Sequence, residues 1–433
     1  MTTAMLPRPA TYRSTFVDQP SLTSSVLFVL LFSGPPKFRE RDTAASLRGD
    51  IDAVVILHVL VSIATVLWVF YQMRFYFQPR SKPIGVWLPQ KLGLALVAAL
   101  GLSAFVSVSP ALTAFMVWKI FGSLIFTMAF VGRYGVDACL KKLFQASAVI
   151  CIAIPFVLLI NSDLVLVTTE TGALRLRGDY FVGTETVAVL CLVLLFSGVQ
   201  KLSKVTYGFL TVLCLGLLVA SLSRTAGVIL FVVSLLAVFK RLPSKAFARL
   251  ATVMGAFVAS AGALNIGSFL EKYRDPESVF TLSDRTGLWA YLSRVTLAKS
   301  PFIGLGYYAA SRVYAVNYNS GLGTAHSMFF EAFVGGGLIG ITILVALCVV
   351  MSVYAVRTFF RGNTNLSFLL STLFLVCLMF GAVGPNIDSG PIAITFWSLA
   401  AILPLFQHSR QAVAPRKRAS TDGPRASGFQ ITR

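Results

Sequence analysis

The chain has 433 residues, 56% of them hydrophobic and only 12% charged, with a mean hydropathy of +0.78. These values exclude a water-soluble globular domain and place the chain among polytopic membrane proteins, for which the bilayer is the solvent. A formal net charge of +20 raises the question of where the 37 Lys and Arg and the 17 Asp and Glu fall along the chain.

A bilayer crossing needs about 20 predominantly apolar residues. The pattern predicts twelve: 21–33, 52–73, 92–108, 111–131, 143–160 and 180–198, then 205–220, 222–239, 250–269, 327–354, 366–383 and 391–406. The first is short, but no small-residue cleavage site follows it and Gly34, Pro35 and Pro36 simply end it, so it reads as a span and not a signal peptide. Residues 205–239 are too many for one crossing, and their polar interruption at Ser221, Ser223, Arg224 and Thr225 predicts a tight helical hairpin. The expected fold is all-α and polytopic, with one long outer loop, about 271–323, between the ninth and tenth spans. Residues 1–406 form one transmembrane domain and 407–433 a disordered basic tail. There is no internal repeat, nor the paired broken spans of inverted-repeat transporters.

With both termini cytoplasmic, the inner segments hold 23 of the Lys and Arg, the outer segments 13, and Lys119 lies within a span. Asp18, Asp137 and Asp422 are inner and the other 14 acids outer, which satisfies the positive-inside rule. Arg416, Lys417 and Arg418 then read as an orientation and anionic-lipid signal, with no nucleic-acid partner. Membrane lipids are the expected surroundings. The six cysteines lie in or beside spans, so neither a disulfide framework nor a cysteine metal site is expected.

Within the outer loop, Ser283 and Asp284 offer an N-cap, and Leu288, Trp289, Leu292 and Val295 recur at helical spacing until Ser300 and Pro301. This predicts a short amphipathic helix on the membrane surface whose first turn carries Arg285. Arg224 opens the second helix of the hairpin, and His326, after the possible N-cap Thr324, opens the tenth span. Helix amino termini with two arginines make a phosphate or pyrophosphate cradle that requires no metal. A histidine at such a terminus tends to its neutral form, as a general base must. Gly335, Gly336, Gly337 and Gly340 are expected to bend that span and to admit a neighbouring helix. Glu331 is rotated away from His326 on an ideal helix and is assigned to the acceptor side.

Bland readings stand beside these. An isolated Arg at a span end is commonly a snorkelling anchor, and a lone His an ordinary interfacial residue. Lys119, costly to bury, is a candidate contact for a carrier phosphate, or else pairs with a carbonyl. Asp50 and Asp52 have the look of an acidic metal-and-phosphate motif, though the helix dipole explains them as well. Trp289, Tyr307, Tyr308, Tyr314 and Tyr318 read as membrane-belt residues before sugar-stacking ones, and His58 and Cys151 as ordinary span residues.

The runs Ser223-Arg224-Thr225-Ala226, Asp284-Arg285-Thr286-Gly287-Leu288-Trp289, Ser300-Pro301-Phe302-Ile303-Gly304-Leu305-Gly306 and His326-Ser327-Met328-Phe329-Phe330-Glu331, followed by Gly337-Leu338-Ile339-Gly340, resemble the O-antigen ligase and polysaccharide polymerase family over about 210–350. The resemblance implies a GT-C-like glycosyltransferase of surface polysaccharide or lipopolysaccharide synthesis. Such an enzyme resides in the bacterial cytoplasmic membrane and works at its outer, periplasmic face. It transfers a glycan from undecaprenyl pyrophosphate to an acceptor hydroxyl on a lipid or glycan, with inversion and without metal or other cofactor. By motif position, Arg224 and Arg285 hold the pyrophosphate and His326 activates the acceptor. The family usually has Asn where Ser327 stands and Gly where Asp284 stands. The readings from other classes are a lipid-linked glycan flippase and a non-catalytic part of a polysaccharide export complex.

Overall fold

A computed structural model of the chain describes residues 19–34, 53–76, 86–162, 165–168, 174–176, 183–221, 223–240, 285–318, 323–362, 364–384, 387 and 390–413. Twelve α-helices are described. They are α1 (Leu22–Ser33), α2 (Ala53–Tyr76), α3 (Leu88–Leu102), α4 (Pro110–Ile160), α5 (Thr184–Phe196), α6 (Lys204–Ser221), α7 (Arg224–Phe239), α8 (Arg285–Lys299), α9 (Ala309–Tyr318), α10 (Met328–Arg361), α11 (Asn365–Val383) and α12 (Pro391–Val413). Seven are long and apolar enough to cross a membrane, and three shorter apolar helices fall at α1, α5 and α7. The fold is that of an all-α polytopic membrane protein. The ninth expected span (250–269), Ser283, Asp284, Asp50 and Asp52 lie outside the described residues.

Backbone chemistry sets the helix limits. α4 has 51 residues, about 76 Å at 1.5 Å per residue, more than twice the hydrocarbon thickness of about 30 Å. Gly135 (φ 81, ψ 175) breaks it, and the expected spans 111–131 and 143–160 fall on either side. The predicted hairpin is α6 and α7, with the Ser223 hydroxyl accepting from the Ala226 amide as N-cap.

Three features depart from the sequence reading. A two-stranded antiparallel hairpin, β1 (Leu166–Thr168) with β2 (Leu174–Leu176), lies between α4 and α5. Its three-residue strands are too short to carry a period-2 signal. The stretch expected as the outer loop holds a second helix, α9. Finally, α12 continues to Val413, into the segment assigned to the tail.

Contacts between helix ends sort them onto two faces. On one, the Gly390 amide donates to the Leu31 carbonyl, Thr113 Oγ1 to the Tyr307 carbonyl and Arg285 Nη1 to the Val383 carbonyl. On the other, Trp87 meets His408, Lys240 Nζ donates to the Phe359 carbonyl and Gln407 Nε2 to the Tyr354 carbonyl. α5 sits at the centre, with every residue from Val187 to Phe196 buried, as an apolar surface all round its axis requires. Around it pack α4, α6, α7, α11 and α12, and α10 lies against α3 and α11.

Candidate active site

The glycine run bends α10 at Gly337 (φ 61, ψ −156). A regular helix would bond the Leu338 amide to the Val334 carbonyl and the Ile339 amide to that of Gly335. The bend opens both, and residues 301–306 take up all four freed groups. The Leu305 amide donates to Val334 O (2.8 Å) and that of Gly306 to Gly335 O (3.3 Å). In return Leu338 N–H donates to Pro301 O (2.8 Å) and Ile339 N–H to Phe302 O (3.2 Å). Buried backbone groups at a kink demand such partners. Only glycine permits the approach: a Cβ on Gly304 would lie 2.5 Å from the Gly337 nitrogen, and one on Gly335 2.6 Å from the Tyr307 Cα. A Cβ on Gly336 would lie 2.8 Å from Leu100 Cδ2 of α3, the expected close neighbour helix. The strap is pinned from its other side by Ser103 Oγ, which accepts from the Tyr307 amide (3.2 Å), and by Thr113 Oγ1 on the Tyr307 carbonyl (3.1 Å).

α8 docks on this platform. Its predicted apolar stripe faces protein, not lipid: Leu288 and Leu292 are buried against Leu305, Ala310, Tyr314, Ala325 and Val334. Docking turns the first turn toward the site. Arg285, half-buried, directs Nη1 at the Val383 carbonyl (3.4 Å) at the end of α11. Burial lowers its pKa from the ordinary value, yet a guanidinium remains charged at any physiological pH. One turn on, Trp289 stacks on Phe330 (4.7 Å, 8°) and donates from Nε1 to the Ala325 carbonyl (2.8 Å).

His326 follows Ala325. It does not open the helix; Ser327 is the N-cap of α10 and His326 precedes it in left-handed backbone (φ 51). Thr324, expected as the cap, instead accepts the His326 amide on Oγ1 (3.2 Å). Glu331, in the first turn of α10, is 1% exposed. Its carboxylate accepts from Ser311 Oγ (2.6 Å) and the Ala325 amide (3.4 Å), with Arg312 Nη1 at 3.8 Å. The sequence pattern does not single out Arg312, because 309–318 reads as loop and its arginine as an ordinary outer charge.

The remaining candidates fall elsewhere. Arg224 begins α7, whose far end meets α10 through Lys240 and the Phe359 carbonyl. α10 starts beside His326 and finishes near Phe359, so the Arg224 end of α7 lies on the His326 side of that contact. Lys119 lies within α4, with Nζ 3.8 Å from Met116 Sδ. Tyr307 and Tyr314, read as belt residues, are buried in protein. Cys151, Cys191 and Cys214, from α4, α5 and α6, have thiol sulfurs within 4.8 Å of one another. Among the described residues these could hold a soft metal ion, a grouping the sequence reading did not anticipate.

Residues 209–345 match the family model described as O-antigen ligase, which supports membership of the O-antigen ligase family and a membrane glycan ligase or polymerase in general. The match runs from α6 into α10 and contains Arg224, Arg285, Arg312, His326 and Glu331. No curated protein matches the chain.

Proposed function

We propose that this protein is an inverting glycan ligase or polymerase of the bacterial cytoplasmic membrane, taking its glycan from undecaprenyl pyrophosphate at the outer face. The observation that carries the reading is that Trp289, one turn after Arg285 on α8, donates to the carbonyl of the residue before His326, so that the helix bearing Arg285 docks against the His326 segment.

In this reading Arg224 and Arg285 bind the pyrophosphate and neutralise the charge it gains on departure, and Lys119 contacts the carrier phosphate. His326 takes the acceptor hydroxyl proton as the oxygen attacks the anomeric carbon. A new C–O bond forms opposite the breaking C–O bond to phosphate, and the pyrophosphate leaves with the bonding pair. General-base help of this kind contributes about a hundred- to ten-thousandfold. The cations supply the charge neutralisation, so the transfer is assigned no metal.

The test is transfer by purified protein from an undecaprenyl-pyrophosphate glycan, with lipid and glycan acceptors offered separately and products sized. One added block on the lipid acceptor identifies a ligase, and a ladder of repeats a polymerase. No product with a verified donor and either acceptor rejects the reading in favour of transport or scaffolding.

A further inference from the structure

Given His326 as the proposed base, we infer that Glu331 and Arg312 form a buried strut that sets the His326 backbone, so that Glu331 is a positioning residue and touches no substrate. Among the described residues two non-glycine residues have left-handed backbone, Tyr308 (φ 68) and His326 (φ 51). Such conformations persist only where surrounding contacts over-determine them. The Glu331 carboxylate lies between the two. Toward His326, Oε1 accepts the Ala325 amide (3.4 Å), while the Ala325 carbonyl accepts Trp289 Nε1 (2.8 Å) and the His326 amide donates to Thr324 Oγ1 (3.2 Å). The residue before the base is thus gripped at both its polar groups.

Toward Tyr308, Oε2 receives Ser311 Oγ at 2.6 Å. That length is typical of a hydroxyl on an ionised carboxylate, so the single hydroxyl hydrogen belongs there. Arg312, 8% exposed, completes the strut. Its Nη1 donates to the Tyr308 carbonyl (3.0 Å), lies 3.4 Å from Ser311 Oγ and 3.8 Å from Glu331 Oε1, and its guanidinium covers the Tyr308 ring. Both charges are buried and mutually compensated, and removing one strands the other. The carboxylate oxygens are occupied by groups of the protein, which favours positioning over the acceptor-ligand role that the sequence suggested.

The experiment compares Glu331→Gln, the double variant Glu331→Gln/Arg312→Gln, Trp289→Phe/Glu331→Gln and His326→Ala in the purified transfer assay, with Tm measured for each. Glu331→Gln is expected to lower kcat at least tenfold while donor and acceptor KM stay within twofold and Tm is retained. The double variant recovers part of that loss, because no unpaired charge remains. Trp289→Phe adds less than its own single loss to Glu331→Gln, because both act on the Ala325 backbone. Unchanged kcat with a tenfold rise in acceptor KM would overturn the inference in favour of direct acceptor binding. If the Glu331 variants do not fold, Ser311→Ala carries the test: reduced kcat at constant KM supports the strut and unchanged kcat overturns it. Full activity of His326→Ala would sink the base assignment itself, whereas an inactive His326→Ala beside a normal Glu331→Gln sinks the strut alone.

Discussion

Replacing Gly337 by alanine should uncouple the strap from the bend of α10. Gly337 has φ 61 and ψ −156, a region essentially reserved to glycine, where another residue costs about 1–3 kcal/mol. Its new Cβ would also collide with the Phe302 carbonyl and lie 2.6 Å from the Gly304 nitrogen, both backbone atoms that no rotamer change can move aside. Retreat of the strap would break four backbone hydrogen bonds at about 1 kcal/mol net each. The chain takes the cheaper of strain and retreat, so a local loss of about 2 kcal/mol is expected, roughly thirtyfold in the closed-to-open ratio at about 1.4 kcal/mol per tenfold. Hydrogen exchange in lipid nanodiscs reads this directly: the Leu305 and Gly306 amides should exchange roughly thirtyfold faster. Turnover should fall with it, since the strap supports α8 and the His326 segment. Gly216→Ala on α6, where a Cβ meets nothing within 4 Å, is the control and should change neither. Unchanged exchange and unchanged turnover in a folded Gly337→Ala protein would refute the account of the bend.

Arg285→Lys and Arg224→Lys should each reduce turnover at least tenfold in the transfer assay, because a point charge cannot reproduce the bidentate geometry of a guanidinium on phosphate; full activity of both would remove the cradle. Trp289→Phe keeps the stack on Phe330 but loses the hydrogen bond to the Ala325 carbonyl, so turnover should drop several-fold, in line with about 1 kcal/mol, with donor KM unchanged. Ser223→Ala removes the N-cap of α7 and should cost about 1 kcal/mol, read as a lower Tm with the Arg224 end loosened. Transfer should continue in excess chelator, and loss that is restored by a divalent cation would shift attention to Asp50 and Asp52.

Much of the fold was legible because the bilayer imposes one strong rule, about 20 apolar residues per crossing. The α6–α7 hairpin was read from four polar residues and the bend of α10 from a glycine run. The lipid-facing character given to α8 failed because periodicity tells that a stripe is buried but not against what; here α9 and α10 cover it. The sequence pattern puts His326 inside the first turn of its helix and the structure puts it just before, since Thr324 and Ser327 compete for the cap and only tertiary contacts decide between them. Arg312 escaped notice because its importance comes from a carboxylate 19 positions away in the chain. The same holds for Cys151, Cys191 and Cys214, whose spacing resembles no ligand motif and whose meeting depends on how three helices pack.

Base-assisted glycan transfer at this face of the bundle is tested most directly by transfer from an undecaprenyl-pyrophosphate glycan by wild type and His326→Ala side by side, in chelator, with matched Tm. Chelator-resistant turnover by wild type and a loss of at least a hundredfold in His326→Ala are expected. Equal turnover by a folded His326→Ala protein would contradict base assistance.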